Sequence, residues 1–387
     1  MDQGNGTNSR ASSRFELAER TISTRKRNFF HRWMSTSGVQ KYVLGRNKYA
    51  ASVSRAVEVE AFIDDFTNDQ AYLGRPVIRM SQLPHDCLVV SCVVDGRPLT
   101  ALNRLQVAGV EALDYFTLVR LAPESFSPVD YCENNQKDIN EHNGDYRWVY
   151  DCLADNLSKD SFRKVVQFRY TFDLDYMQGF SLTIDRQYFE DFIRLGADEV
   201  FVDGGGYDGQ TTLAFASRAP AYRRIYYFEP NPSMMEISKQ KLAQLPRIQY
   251  IQKGLYSRNG VMRFDSSGGS ASRISWSGQD AIDVIALDNV VSEPATLIKL
   301  DVEGAEGKAI DGAANQIRYH APTLAVCVYH DQADFWRIPR RILDLNDRYK
   351  IYLRYYSEGI LETVMFFVPL AGESMGPTYD HDAQDGF

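Results

Sequence analysis

The sequence predicts an α/β protein with two parallel-sheet units, of which the first is the smaller. Short apolar runs alternate with helical patterns in both halves of the chain, and this alternation is typical of parallel sheets. Residues 200–216 contain a buried strand that leads into a glycine cluster and then into a helix start. The length of 387 residues exceeds the usual size of one domain, so two domains are expected.

Residues 1–37 are a polar lead-in that becomes basic at residues 25–27. Within it, residues 14–34 have the pattern of an amphipathic helix that carries Phe29 and Trp33. A basic amphipathic helix can bind a membrane surface or a nucleic acid. We expect this one to pack on its own domain or on a partner subunit instead.

Residues 38–122 are predicted to form a small Rossmann-like α/β domain. Strands are expected at 42–45, 57–63, 76–78 and 88–94, followed by a helix at 99–108. The unit resembles the half-size nucleotide-binding fold that often precedes sugar-modifying enzymes, with Gly45 in the first turn and Asp64 after the second strand. Because Arg46 and Asn47 replace the rest of the glycine fingerprint, we expect a degraded or structural nucleotide fold.

Residues 123–195 are interpreted as helices and connections between the two domains. The aromatic run 168–177 could line a substrate pocket, although aromatic residues at mixed spacing are more often core. Residues 371–387 form a polar tail that we expect to be loose.

Residues 196–370 are predicted to form the second domain. Strands are expected at 200–203, 224–229, 247–252, 282–287, 296–301 and 322–329, helices at 233–245 and 337–345, a hairpin arm at 260–265 with a flexible loop at 266–270, and a final antiparallel pair at 351–355 and 363–368.

The glycine turn of this domain suits an adenosine cofactor. Gly204, Gly206 and Gly209 satisfy G-x-G-x-x-G, and Glu229 follows as a dinucleotide fold requires. The helix N-terminus favours an anion, whereas Asp203 at the strand end would attract a cation or an ammonium group. That pair suits the methionine part of S-adenosylmethionine, but a dinucleotide and simple packing of the glycines both stay open at this point.

Four further strings make the pattern more specific. Residues 202–209, 228–232, 297–306 and 329–330 resemble the motif set of FkbM-type methyltransferases over about residues 195–370. The resemblance implies a class I methyltransferase fold with a seven-stranded sheet, S-adenosylmethionine as cofactor, and methyl transfer to a hydroxyl, commonly on a sugar or a secondary metabolite. Tyr207 and Asp208 depart from the residues usual in this turn.

The resemblance also implies a cofactor site, position by position. Asp203, Gly205 and Gly209 would surround the methionine end, and the other turn residues predicted to bind the cofactor are Gly204, Gly206 and Tyr207. Glu229 would accept hydrogen bonds from both ribose hydroxyls, and Gly254 and Leu255 would lie near the adenine. Asp301 would lie beside the reacting methyl group.

His330 is the predicted general base, because it follows a strand at the edge where ligands collect in such sheets. The polar residues at two neighbouring strand ends could together hold a divalent ion; they are Asp301, Glu303, Glu306, His330 and Asp331. We prefer the interpretation that Glu303 and Glu306 stabilise a helix N-terminus, and we predict no metal. Lys299 lies inside a strand, so it either reaches an acid partner or points to the site.

Composition excludes several classes of protein. The net charge of -8 argues against broad nucleic-acid binding. The five cysteines are irregularly spaced and are expected to be reduced core thiols. No apolar run is long enough for a membrane span, and the first residues are not those of a signal peptide, so a cytoplasmic location is expected.

We therefore predict an S-adenosylmethionine-dependent O-methyltransferase that acts on a carbohydrate, nucleotide-sugar or glycan acceptor, with a homo-oligomer left open. One alternative is an NAD-dependent nucleotide-sugar oxidoreductase, although the chain has no suitably placed Tyr-x-x-x-Lys pair. A non-catalytic Rossmann-type binding protein is the other, and the intact acids Asp203, Glu229 and Asp301 argue against it.

Overall fold

The computed structural model describes residues 15–35, 38–265, 273–274 and 280–370. The predicted loop at 266–270, the predicted tail at 371–387 and the start of the lead-in lie outside the described residues. The helices are α1 Thr24–Met34, α2 Lys48–Ala56, α3 Pro98–Val107, α4 Tyr115–Leu121, α5 Asn135–Glu141, α6 Asn143–Cys152, α7 Asn156–Thr171, α8 Gln210–Arg218, α9 Pro232–Lys241, α10 Glu306–Gly312 and α11 Asp334–Leu345.

The strands fall into three sheets. They are β1 Gln40–Leu44, β2 Ala61–Ile63, β3 Ala71–Tyr72, β4 Arg75–Ile78, β5 Cys87–Ser91, β6 Glu111–Asp114, β7 Val200–Gly204, β8 Arg224–Phe228, β9 Ile248–Ile251, β10 Gly254–Leu255, β11 Gly260–Asp265, β12 Arg273–Ile274, β13 Asp280–Ile285, β14 Leu297–Leu300, β15 Thr323–Cys327, β16 Tyr349–Tyr355 and β17 Thr363–Pro369.

The N-terminal sheet has six strands in the order β3-β4-β2-β1-β5-β6. All neighbours are parallel except β3 and β4. Alternate residues of β1 enter different cores, since Val43 packs in the cluster that contains Trp33 of α1, while Tyr42 packs in the cluster that contains Leu105 of α3. A parallel sheet covered on both faces has continuous apolar strands, which explains the runs in the sequence.

Local chemistry accounts for the differences from the predicted elements of this half. The lead-in helix starts only at Thr24, where the Ser23 side chain accepts a hydrogen bond from the backbone N–H of Lys26 and so caps the helix. Phe29 and Trp33 are buried, so the helix packs on its own chain. The second strand starts at Ala61 instead of residue 57. The short strands β3 and β6 were not predicted.

The C-terminal sheet confirms the predicted seven-stranded fold. Its order is β16-β17-β15-β14-β7-β8-β9, in which β17 runs antiparallel to both neighbours and the other pairs are parallel. The chain leaves β7 towards β8 and β9 and later returns to β14 on its other side. This reversal creates a crevice at the carboxyl ends of β7 and β14, where open α/β sheets bind ligands.

A smaller sheet of order β10-β13-β11-β12 follows β9. Strand β11 pairs antiparallel with β13, which confirms the predicted hairpin arm. The helical segment between the domains packs on the C-terminal half, since α6 contacts α11 and α7 contacts β16. In the aromatic run 168–177, Phe168, Leu174 and Met177 are core residues.

All five cysteines lie within the described residues and are free thiols, as predicted. None of the described helices combines the length and apolar character needed to span a bilayer.

Candidate active site

The predicted site residues follow strands that are neighbours in the C-terminal sheet. Residue Gly204 of β7 pairs with Phe228 of β8 on one side and with Leu300 of β14 on the other. Strand β15 follows on the far side of β14. Because the carboxyl ends of parallel strands share an edge, the segments that begin at Gly205, Glu229, Asp301 and Val328 lie along one border of the sheet.

The glycine turn after β7 lies directly against the backbone after β14. Gly205 has φ 73°, and a Cβ atom placed there would be 1.8 Å from the carbonyl oxygen of Asp301. Only glycine allows both the positive φ and this close approach. The fold itself therefore requires this glycine, whether or not a ligand is bound.

Packing also accounts for the other glycines of the turn. A Cβ on Gly204 would be 2.7 Å from the Leu255 side chain, and one on Gly206 would be 2.2 Å from the Tyr227 ring. Gly209 precedes α8 with φ 84°. Leu255 is buried against the turn, and its neighbour Gly254 lies against the β13 side chains. Their place near an adenine stays a prediction.

Asp203 has a structural partner instead of an open face. Its carboxylate is completely buried, lies 3.2 Å from Nζ of Lys299 and accepts a 2.7 Å hydrogen bond from Oγ1 of Thr212. Lys299 also donates to the carbonyl oxygen of Gly205 at 2.5 Å. The predicted role of Asp203 in holding an ammonium group stays a prediction, and in this structure its carboxylate is paired with Lys299 and Thr212. Of the two places predicted for Lys299, the structure shows the acid partner.

Lys299 is a buried cation. Burial by itself lowers its pKa, but the charges of Asp203 and Asp301 outweigh burial and leave the pKa above its ordinary value. The ion pair with Asp203 thus joins β14 to β7 beneath the glycine turn, and it supports the turn from below.

Glu229 follows β8 and is held by two backbone amides. Its Oε2 accepts from the N–H of Tyr207 at 2.9 Å, and its Oε1 accepts from the N–H of Asn231 at 2.8 Å. Burial raises the pKa of Glu229 to about 7, although the two amide hydrogen bonds oppose this. Each carboxylate oxygen keeps a further lone pair, which suits a pair of vicinal hydroxyls. Tyr207 is 51% exposed at the mouth of the turn.

Asp301 follows β14 and carries two tyrosine contacts. Tyr188 donates to Oδ2 at 2.9 Å and Tyr329 donates to Oδ1 at 3.3 Å. Burial opposes ionisation of Asp301, but the cations Lys299 and His330 outweigh it and lower the pKa. The carboxylate is therefore negatively charged at neutral pH.

His330 lies between carboxylates on both sides of its ring. Nδ1 is 2.9 Å from Oε1 of Glu306 and Nε2 is 3.2 Å from Oε2 of Glu303. Burial by itself lowers the pKa of His330, but Glu306 and Glu303 raise it well above its ordinary value. The raised pKa favours the protonated ring, in which both nitrogens donate. The role of His330 as general base stays a prediction.

Comparison with known protein families identifies a domain that includes this edge of the sheet. A family model described as the methyltransferase FkbM domain matches residues 203–357. The C-terminal half is an FkbM-type methyltransferase domain. That finding places the glycine turn, Glu229, Asp301 and His330 inside the matched region.

Solved structures extend the similarity of fold beyond this domain. The FkbM methyltransferase from Methylobacillus flagellatus KT has a TM-score of 0.71 at 23% sequence identity, with 89% of this chain and 94% of that chain covered. An rRNA methylase from Streptococcus thermophilus has a TM-score of 0.32 at 16% identity, with 46% of this chain and 90% of that chain covered. No curated protein matches the sequence.

The two acids of the Glu303–Glu306 segment have different positions in the FkbM-type domain. Helix α10 starts at Glu306, whereas Glu303 precedes the helix with φ 54°. The interpretation that both acids stabilise this helix N-terminus is therefore wrong for Glu303. Both carboxylates contact His330 instead. Asp331 accepts from the N–H of Ala333 next to α11.

Three residues of the site belong to none of the motifs recognised in the sequence. Tyr131 donates to Oε2 of Glu303 at 3.2 Å, and Tyr188 contacts Asp301. Gln187 donates to Oε2 of Glu362 at 2.6 Å. Burial, followed by the charge of Asp301, raises the pKa of Glu362 to about 7. Tyr131 and Gln187 belong to the inter-domain segment, in which the sequence has no recognised motif.

Strained backbone marks the same place. Tyr131, Tyr188, Tyr207, Glu303 and Glu362 all have φ between 50° and 71°. Positive φ is uncommon for residues other than glycine, costs of order 1–3 kcal/mol each, and clusters at functional sites. The concentration of such residues around Asp301, Glu229 and His330 supports a functional edge here.

The same residues offer a set of metal ligands. Among the residues that the structure describes, Asp301, Glu306 and His330 each provide a ligand atom, and these atoms lie within 4.8 Å of one another. However, Glu306 contacts Nδ1 of the ring while Asp301 lies 3.7 Å from Nε2. The imidazolium lies between these acids and pairs with them from opposite sides, so an ion-pair network explains the arrangement without a metal ion.

Proposed function

We propose that the protein is an S-adenosylmethionine-dependent O-methyltransferase whose acceptor is a hydroxyl of a sugar or glycan. The observation that carries the proposal is the placement of Glu229, the glycine turn and Asp301 along one edge of a class I methyltransferase sheet. A reaction of this class requires a ribose partner next to the acceptor, and Glu229 and Asp301 follow strands that both border β7.

The residues present fit the proposed cofactor. Glu229 is fixed by two amides with lone pairs to spare for the ribose hydroxyls, and the α8 N-terminus beside the turn suits the carboxylate of the methionine part. The cations Lys299 and His330 lower the pKa of Asp301, and this ionised carboxylate favours a cationic group beside it. When bound, the cofactor supplies a methyl group already activated on a cationic sulfur.

The chain's own task is alignment of the acceptor oxygen and removal of its proton. Alignment of this kind is worth about 7–11 kcal/mol. We assign proton removal to Glu362, because its pKa of about 7 is close to the value that general-base catalysis favours at neutral pH. A carboxylate oxygen of Glu362 would accept the proton of the acceptor hydroxyl, and the bound cofactor would supply the methyl group that replaces it.

His330 and Asp301 then have supporting roles. The imidazolium of His330 holds Glu303 and Glu306 in place, and Asp301 stays ionised beside the point where the methyl group would lie. Hydroxyl groups of Tyr131, Tyr188 and Tyr329 lie among these carboxylates. Such a mixture of aromatic rings, hydroxyls and carboxylates suits the hydroxyl-rich face of a sugar.

Titration calorimetry separates this proposal from a nicotinamide-dependent oxidoreductase. We expect the purified chain to bind S-adenosylhomocysteine and not NAD, because residues 203–357 match a methyltransferase family model and the sequence has no suitably placed Tyr-x-x-x-Lys pair. Binding of NAD without binding of S-adenosylhomocysteine would end the methyltransferase proposal. Mass spectrometry of glycans from cells with and without the protein should then show a difference of one methyl group.

Metal dependence can be checked directly. Because His330 already pairs with Glu303 and Glu306, we expect methyl transfer to continue after dialysis against EDTA. Restoration of a lost activity by Mg²⁺ or Mn²⁺ would show that the ion-pair explanation of these acids is incomplete.

A further inference from the structure

The N-terminal sheet has a ligand-type crevice of its own. Strand β1 lies between β2 and β5. The connection after β1 leads to β2 on one side of it, and the chain later returns to add β5 on the other side. In open α/β sheets the crevice outside the carboxyl ends of two such strands is the usual ligand site. Here it lies between the turn after β1, which contains Gly45, and the segment after β5, which ends at α3.

A loop from the methyltransferase half fills this crevice. Thr100 donates to Glu358 twice, from its backbone N–H to Oε2 at 2.7 Å and from Oγ1 to Oε1 at 2.6 Å. The N–H of Glu358 donates to the carbonyl oxygen of Gly96 at 2.8 Å. The loop approaches so closely that a Cβ on Gly359 would lie 2.2 Å from the carbonyl oxygen of Val94. Glu358 is only 5% exposed.

The contact completes the N-terminus of α3. This helix of 10 residues starts at Pro98, and its N-cap Arg97 provides no side-chain hydrogen bond. The first amides of a helix need partners and favour a negative charge. Glu358, which is 258 positions away from Thr100, supplies both. The carboxylate thus occupies an anion-binding position at a helix N-terminus, on the β5 side of the crevice.

Other nucleotide-binding features of this sheet are also occupied by the protein. Oδ1 of Asn47 accepts from the N–H groups of Tyr49 and Ala50 at the start of α2, and its Nδ2 donates across the crevice to the carbonyl oxygen of Cys92 at 2.8 Å. Asp64, in the position of a ribose acid, lies 2.8 Å from Nε of Arg46.

The other end of the docked loop reaches the active site. Ile360 accepts from Nη2 of the buried Arg169 at 2.8 Å, and the same nitrogen donates to the carbonyl oxygen of Tyr329 at 3.0 Å. Glu362 follows two residues later with φ 69°. The segment between Glu358 and Glu362 is therefore held by the N-terminal domain at one end and by the strand end of His330 at the other.

We infer that the N-terminal domain is an anchor for the active-site loop 357–362 and that Glu358 is a positioning residue for Glu362. The crevice binds this loop and no nucleotide. The inference rests on the proposed function, because it gives the loop its task through Glu362, but the anchoring itself can be measured separately.

The test compares Glu358→Ala, Glu358→Gln and the surface control Glu141→Ala in the full chain. Hydrogen exchange of residues 357–363 should become faster in Glu358→Ala alone. Because misplacing a catalytic group by about 1 Å can cost up to about 100-fold, we expect kcat to fall at least about tenfold in Glu358→Ala. Affinity for S-adenosylhomocysteine should not change, since Glu229 is untouched. Gln should restore most of kcat, because its amide can still accept from and donate to Thr100.

Thr100→Val is the second variant in case Glu358→Ala does not fold. It removes only the hydroxyl contact, so a smaller loss of kcat, about fivefold, is expected with unchanged S-adenosylhomocysteine affinity.

Two results would overturn the inference. One is wild-type exchange and wild-type kcat in Glu358→Ala. The other is binding of UDP or NAD by the wild-type chain that Asp64→Ala weakens. A wild-type chain that binds no S-adenosylhomocysteine would instead refute the proposed function, and the exchange data would still decide whether the loop is anchored.

Discussion

The two large sheets have similar polar groups at their carboxyl edges, but these groups have different partners. At the carboxyl edge of the N-terminal sheet, Asp64 is bonded to Arg46 and the α3 N-terminus is bonded to Glu358. At the carboxyl edge of the C-terminal sheet, burial raises the pKa values of Glu229 and Glu362 to about 7. The polar groups at the N-terminal edge are paired within the protein, whereas the C-terminal edge keeps acids that can interact with a ligand.

The difference shows that fold alone does not make a binding site. Both sheets place an acid after their second strand and a helix N-terminus beside a glycine turn. Within the described part of the chain, Glu229 of the C-terminal sheet accepts only from backbone amides and keeps lone pairs for a ligand, whereas Asp64 is bonded to Arg46. Function depends on which polar groups are left without a charged partner.

Among the substitutions that test this contrast between the two edges, replacement of His330 should have the largest effect. Replacing it by alanine leaves Glu306, which is fully buried, without its cation. Loss of one partner from a buried ion pair costs about 3–5 kcal/mol, so His330→Ala should lower the free energy of unfolding by about that amount. Urea denaturation measures the change, with the exposed His85→Ala as control. A His330→Ala protein as stable as the control would contradict the network.

The two second-strand acids form a matched pair. Glu229→Ala should weaken S-adenosylhomocysteine binding about 10–100-fold, because a hydrogen bond to a charged group is worth about 1.5–3 kcal/mol. Asp64→Ala should leave that affinity unchanged, since Asp64 serves Arg46. Calorimetry of both variants tests the contrast directly. Equal affinities in the two variants would remove the ribose assignment.

Glu362 should make both activity and stability depend on pH. Its folded pKa of about 7 lies above its ordinary value of 4.5, so its contribution to stability is present below about pH 4.5 and is lost as pH rises through about 7. Glu362→Gln lacks this loss and should melt a few degrees higher than the wild type at pH 8, but not at pH 4.

The activity should increase as the pH rises, in contrast to the stability. Since the ionised carboxylate accepts the proton, kcat/KM of the wild type should rise through about pH 7, whereas Glu362→Gln should be slow at every pH. A Gln variant with an unchanged pH profile would assign the base to another group.

The smallest effect is expected in the N-terminal sheet. Arg46→Ala removes partly exposed contacts to Asp64 and Asp69, and such pairs contribute little to stability. The melting temperature, kcat and S-adenosylhomocysteine affinity should stay close to the wild-type values. A clear loss of cofactor affinity would mean that the two edges are coupled.

Strand ends were predictable from the sequence because they depend on local patterns. The run before Asp203, the run before Glu229 and the run before Asp301 are apolar and short, and the sheet order then follows from alternation and crossover rules. The edge that carries Glu229, Asp301 and His330 could therefore be derived before any coordinates were known.

Side-chain partners were not predictable in the same way. Tyr188 and Asp301 are 113 positions apart, and Thr100 and Glu358 are separated even further, so no local pattern relates them. The charge state of His330 depends on two acids that meet it only after α10 and β15 have packed. Positive φ at Glu303 and Glu362 is imposed by tertiary structure, since neither residue type favours it.

The outer strand β16 is shielded by the segment that precedes the matched domain. Leu153 forms a parallel bridge with Ile351, the N–H of Ala154 donates to the carbonyl oxygen of Ile351 at 2.8 Å, and α7 lies against the strand. Bare edge strands rich in aromatic and aliphatic residues promote self-association into aggregates. A shortened protein that begins at residue 196 would therefore be prone to precipitate, whereas one that retains Leu153 and α7 would keep this border covered.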